Sequence, residues 1–120
     1  MYVPSHLEQH PDHRAANQVL LDASHGLPNP FAVHAYEVWT PQFPNCLVTI
    51  DFVIHLKRAA LAHYHTQLLE ADFQHGIFGL NAYRAMTQPL PGRRYAEAYC
   101  ALPYKDYAAL YRGFRDGSYG

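Results

Sequence analysis

Proline and glycine interrupt this chain at four places, and those breaks set the length of every regular segment between them. Gly26 with Pro28, Asn29 and Pro30 marks a turn, Pro41 and Pro44 a loop, Pro89-Leu-Pro-Gly92 a third break and Pro103 a fourth. Proline lacks an N–H and fixes its own φ, while glycine reaches left-handed backbone without strain. What lies between these marks is short, and its periodicity changes along the chain.

Before the first break, Ala15, Ala16, Val19, Leu20 and Ala23 recur at helical spacing. This predicts a helix from Asp12 to His25, with Asp12 as its cap and Gly26 as its stop. Residues 31–39 are rich in aromatic and β-branched types and read as a strand, as do residues 45–50. The short connection between them predicts an antiparallel β-hairpin. A lone hairpin is marginal, so it is expected to pack on helices.

The next stretch carries two periods at once. Cys46, Val48, Ile50, Phe52, Ile54 and Leu56 alternate as a strand would, whereas Val53, Ile54, Ala60, Leu61, Tyr64, Leu68 and Ala71 share one helical face. The reading adopted is a long central helix over about 52–74, capped by Asp51 and stopped by Gly76, and the point between 46 and 56 where strand gives way to helix stays open. A short helix is expected over 79–88. Ala96, Glu97, Ala98 and Ala101 favour a helix over 93–102, with a strand as the alternative. A last helix should run from Pro103 to Arg115. The fold class is therefore α+β and mostly helical: one hairpin on a long helix, with shorter helices at both ends. All 120 residues are expected in one domain, with the polar residues 1–11 as a flexible arm.

The chain is nearly neutral, with a formal net charge of −1, and carries only nine Lys and Arg in all. That disfavours direct binding to nucleic acid, which recruits many cations. Residues 1–75 hold Arg14, Lys57 and Arg58 against seven acids, whereas residues 76–120 hold six bases against Glu97, Asp106 and Asp116. Such asymmetry can steer a partner, including a second copy. No segment has the ~20 apolar residues of a membrane span, and Met1–His10 lacks the basic start and apolar run of a signal peptide. A cytoplasmic protein with Cys46 and Cys100 reduced is expected.

The last helix carries the strongest candidate surface. Tyr104, Tyr107, Tyr111 and Phe114 fall within an arc of about 80°, and Lys105, Arg112 and Arg115 run along one edge. Arg93 and Arg94 lie just upstream. Tyrosine and arginine are enriched where proteins dock, so Tyr104, Tyr107, Tyr111, Lys105, Arg112, Arg115, Arg93 and Arg94 are the predicted partner-binding set. The competing expectation is that the aromatic stripe packs into the core with hydroxyls at its rim.

Nine histidines raise the question of metal or base chemistry. His6, His10 and His13 have helical spacing with Glu8 among them, yet Pro11 interrupts that turn. They are the only metal candidates, and no metal or other cofactor is expected. No serine elbow, phosphate loop or paired carboxylate is present. The opening Met1-Tyr-Val-Pro-Ser-His6 resembles the start of a family of flavin-binding transcriptional regulators over six residues. The chain departs from that pattern afterwards, so no flavin site is carried over.

The expectation is a small non-enzymatic interaction module, an inhibitor or adaptor of a larger nucleic-acid-processing complex. A histidine-dependent enzyme or metal protein and a self-associating structural protein are the alternatives.

Overall fold

A computed structural model describes residues 1–29, 31–64, 72–88 and 91–117. Among these, the elements are β1 (Tyr2–Pro4), α1 (Pro11–Ala23), β2 (Ala32–Tyr36), β3 (Cys46–Thr49), a 3-10 turn (Asp51–Val53), α2 (Ile54–Leu61), α3 (Phe73–Met86), β4 (Ala96–Pro103) and α4 (Tyr104–Arg115). The fold is α+β with a mixed four-stranded sheet in the order β1-β2-β4-β3. Strand β1 runs parallel to β2, with Val3 opposite Ala35, and β2 runs antiparallel to β4, with Ala35 opposite Cys100. The chain forms two compact units, one of residues 1–46 with 99–120 and one of residues 47–98.

In the first unit, α1 and α4 share a core with the sheet. Val3, Leu20, Leu21, Val33, Ala35, Tyr104, Tyr107, Ala108 and Tyr111 are buried together, with Ala16, Phe31, Cys100 and Leu102 packed against them. Helix α1 begins at Pro11, and His10 rather than Asp12 caps it, its Nδ1 accepting from the Asp12 N–H at 3.2 Å. The buried face is also rotated from the expected one. Asn17, Leu20 and Leu21 point inward, whereas Val19 is exposed. A polar Asn17 is invisible to a hydrophobic stripe, but here its amide is fully used: Nδ2 donates to the carbonyls of Pro4 and His13, at 2.9 and 3.0 Å, and Oδ1 accepts from Tyr107. A buried polar group so satisfied costs little.

Residues 1–11, expected as an arm, hold strand β1 and a buried Glu8. Three backbone bonds tie their start to β2: the Met1 ammonium donates to the Ala32 carbonyl, His34 N–H to that of Met1 and Ser5 N–H to that of Tyr36.

Two further expectations are corrected. Strands β2 and β3 do not form a hairpin, because β4 lies between them in the sheet. The segment over 93–102 is that strand: Ala96 and Ala98 are buried on one side, and their helix propensity is overridden by the sheet position. Periodicity cannot foresee a strand arriving from 50 residues further along.

In the second unit the helix expected over 52–74 is divided. Residues 51–53 form a 3-10 turn, α2 ends at Leu61, and residues 62–64 are not helical. Residues 65–71 lie outside the described part. Asp72 then caps α3, accepting the His75 N–H at 3.1 Å. Gly76, expected as a stop, sits inside α3, which absorbs the short helix expected over 79–88. Asp51 does not cap α2 by a side-chain bond; its Oδ1 accepts the Arg94 N–H at 2.9 Å. Lys57 Nζ meets Glu97 Oε1 at 2.6 Å, Arg58 lies 4.5 Å over the Phe78 ring, and Asn81 Nδ2 donates to the Ala96 carbonyl.

Candidate functional site

The aromatic stripe of α4 exists as read, but it faces inward. Tyr104, Tyr107 and Tyr111 are buried, and each hydroxyl reaches α1: Tyr104 the Leu21 carbonyl at 3.4 Å, Tyr107 Asn17 Oδ1 at 2.6 Å, Tyr111 the Arg14 carbonyl at 3.4 Å. The three tyrosines offered as a docking face are thus core residues, and helix α1 is what covers them. Burial pushes the pKa of the Tyr107 hydroxyl far above its ordinary value, with the nearby Cys100 thiol adding to the rise.

The cationic margin stays outside. Lys105, Arg112 and Arg115 are exposed, as are Arg93 and Arg94 in the second unit. Arg115 is engaged within its own chain, donating from Nε to Asp116 Oδ1 at 2.8 Å and from Nη1 to Gln18 Oε1 at 3.1 Å.

The candidate histidines are used for structure. His6 packs edge-on against Tyr107 and Phe114, and that burial holds its pKa below the ordinary value. His10 caps α1, and His13 Nδ1 lies 3.2 Å from Glu8 Oε2. Among the described residues no group of three or more His, Cys, Asp or Glu is placed to hold a metal. Cys46 and Cys100 are free thiols, both half-buried, and burial pushes that of Cys100 up, away from the nucleophilic thiolate.

A different element has the geometry of a contact site: the loop of residues 37–45, between β2 and β3. Glu8 is fully buried, and its Oε1 accepts three successive backbone N–H groups, from Val38, Trp39 and Thr40, at 2.9, 2.9 and 3.0 Å. Successive amides aimed at one anion form a strong cradle. Further along, Glu37 Oε2 accepts the Gln42 N–H at 2.8 Å, and the buried Gln42 side chain donates to the Ala35 carbonyl at 2.7 Å. Asn45 closes the loop by a two-way pairing with the Ala101 backbone, Nδ2 donating at 2.8 Å and Oδ1 accepting at 2.7 Å.

These bonds give the loop a strand-like alternation. Gln42 points in, while Trp39, Pro41, Phe43 and Asn45 are exposed. Trp39 is 50% exposed and Phe43 is 98% exposed. No charged residue occurs from Val38 to Ile50. Sequence reasoning passed over this loop because two prolines marked it only as irregular. The available signal was the Trp-and-Phe pair in an uncharged run; the Glu8 clamp, about thirty residues upstream, had none.

No described helix is long and apolar enough to cross a membrane. No protein-family model, curated protein or solved structure matches the chain.

Proposed function

We propose that this chain is a small non-enzymatic protein-interaction module that docks through the loop of residues 37–45, with Phe43 and Trp39 as anchors. The observation that carries this reading is an almost fully exposed Phe43 on a loop held by buried side chains. An unneeded aromatic on a free loop would cost little, but here Glu8 and Gln42 are buried to keep the loop in one shape. A preset shape lowers the ordering cost of binding, and central aromatic anchors dominate interface energies. The absence of charge from Val38 to Ile50 favours an apolar cleft in another protein over a polyanion.

The partner class we propose is a larger protein complex that the module inhibits or adapts, with cytoplasmic nucleic-acid-processing assemblies as the first to test. The deciding experiment is affinity capture from the native host with wild type, Phe43→Ala and Trp39→Ala, followed by measured affinity for the captured protein. A partner lost by both variants, while their folds stay intact, supports the reading. Equal capture by all three removes the loop from it. Light scattering decides the competing reading, in which the occupant is a second copy.

A further inference from the structure

Helix α2 turns Ile54, Lys57 and Leu61 partly inward and leaves several apolar side chains exposed. Lys57 is pinned to Glu97, with both side chains partly shielded, and the exposed Arg58 sits over Phe78, whose ring packs on Tyr95. None of the residues from Asp51 to Leu61 is buried. Phe52, Leu56 and Ala60, four apart along one face, are exposed, with Val53 and Ala59 beside them. Phe52 is 86% exposed and Leu56 59%. A surface helix usually buries its apolar stripe, and exposed apolar side chains grouped in this way mark a contact candidate.

The charges beside the patch indicate what covers it. The Arg94 N–H bond to Asp51 sets the Arg93–Arg94 pair next to the turn that carries Phe52 and Val53. Both arginines are exposed, and neither guanidinium has an ion-pair partner among the described residues. Asp51 lies at the same end of the helix, and its Oδ1 is taken by the backbone. A partner that seats apolar side chains on Phe52 and Leu56 therefore meets two exposed cations that have no ion-pair partner among the described residues.

We infer that the Phe52–Val53–Leu56 face binds an apolar segment of another protein flanked by acidic residues, which pair with Arg93 and Arg94. An anionic bilayer is the weaker occupant, because stable recruitment takes a cluster of about four to eight cations. This surface shares no residue with the 37–45 loop, and the inference does not rest on that loop.

The test is selection of a displayed random peptide library on the immobilised full-length protein, with affinities of selected peptides then measured by fluorescence anisotropy. The expected peptides combine Leu, Ile or Phe with Glu or Asp. Phe52→Ala with Leu56→Ala should weaken them by about 30-fold or more. Arg93→Ala with Arg94→Ala should weaken them by about threefold to tenfold and flatten the salt dependence. Phe43→Ala should leave them unchanged. Unchanged urea midpoints would show that the variants still fold. Selection of basic or uncharged peptides, no selected peptide, or peptides that ignore the Phe52 and Leu56 changes would each overturn the inference. So would binding to vesicles with about one-third phosphatidylserine that depends on Phe52, or a dimer in light scattering that the same double variant dissociates.

Discussion

The Tyr107 hydroxyl donates to Asn17 Oδ1 at 2.6 Å, and both residues are buried between α4 and α1. This bond accounts for a tyrosine at position 107 in a core where phenylalanine would fill the same space. Tyr107→Phe should leave Asn17 Oδ1 without a donor and cost about 1–3 kcal/mol. Tyr107→Ala adds a cavity and should cost about 3–5 kcal/mol. Urea denaturation measures both. A Tyr107→Phe protein as stable as wild type would remove the bond from the account of the core.

Glu8 should govern the order of the 37–45 loop. Glu8→Ala leaves the N–H groups of Val38, Trp39 and Thr40 without their acceptor, with a penalty of about 1–3 kcal/mol for a single unsatisfied buried group. Hydrogen exchange at residues 38–40 should accelerate more than exchange in α4. Glu8→Gln keeps an acceptor oxygen and should fall between wild type and Glu8→Ala. Equal exchange in all three proteins would show that the carboxylate does not hold the loop.

His6 sets a pH dependence. Its ring lies against Tyr107 and Phe114, and burial lowers its pKa from the ordinary 6.5, so the folded state takes up its proton later than the unfolded state. Above neutrality both states are uncharged at this position and His6 has no effect. As pH falls through 6.5 towards the lower folded value, the unfolded chain binds the proton first and stability declines. His6→Gln should remove part of this decline. Comparing urea midpoints of the two proteins at about pH 7.5 and pH 5.5 isolates the contribution from the other histidines, and parallel changes would rule it out.

Phe43→Ala should separate binding from stability. A side chain 98% exposed makes little contact with its own fold, so stability should move by less than about 0.5 kcal/mol. Affinity for a captured partner should fall by about 2 kcal/mol or more. Thermal melting and titration calorimetry on the same preparations read the two quantities.

The Lys57–Glu97 pair should contribute modestly. Its 2.6 Å contact is partly shielded, at 23% and 31% side-chain exposure. A double-mutant cycle with Lys57→Met and Glu97→Gln should give a coupling of about 0.5–1 kcal/mol, towards the upper end for surface pairs. A coupling near zero would mean that the Arg58–Phe78 contact and backbone packing orient α2.

Local chemistry alone determined α1 and α4 to within a residue or two at most boundaries. Their stripes, the break at Gly26 and the Pro103 entry act within a few turns of the chain, which is the range over which a sequence pattern is informative. The stripe Tyr104, Tyr107 and Tyr111 was legible too, but its direction was not. Whether a tyrosine faces solvent or core depends on a partner for its hydroxyl, and Asn17 and the α1 carbonyls lie more than eighty residues away.

Tertiary structure decided the rest for the same reason. Ala96 and Ala98 favour a helix in isolation and become strand because they belong to β4, which takes an interior place in the four-stranded sheet. Residues 1–11 look like an arm until β2 and the loop amides take up β1 and Glu8. The 37–45 loop and the outward face of α2 are contact candidates through what is clamped beneath them, by Glu8 and Gln42 in one case and by Lys57 and Arg58 in the other. Those clamps join residues distant in sequence, except Gln42 to Ala35, and a local periodicity carries no record of them.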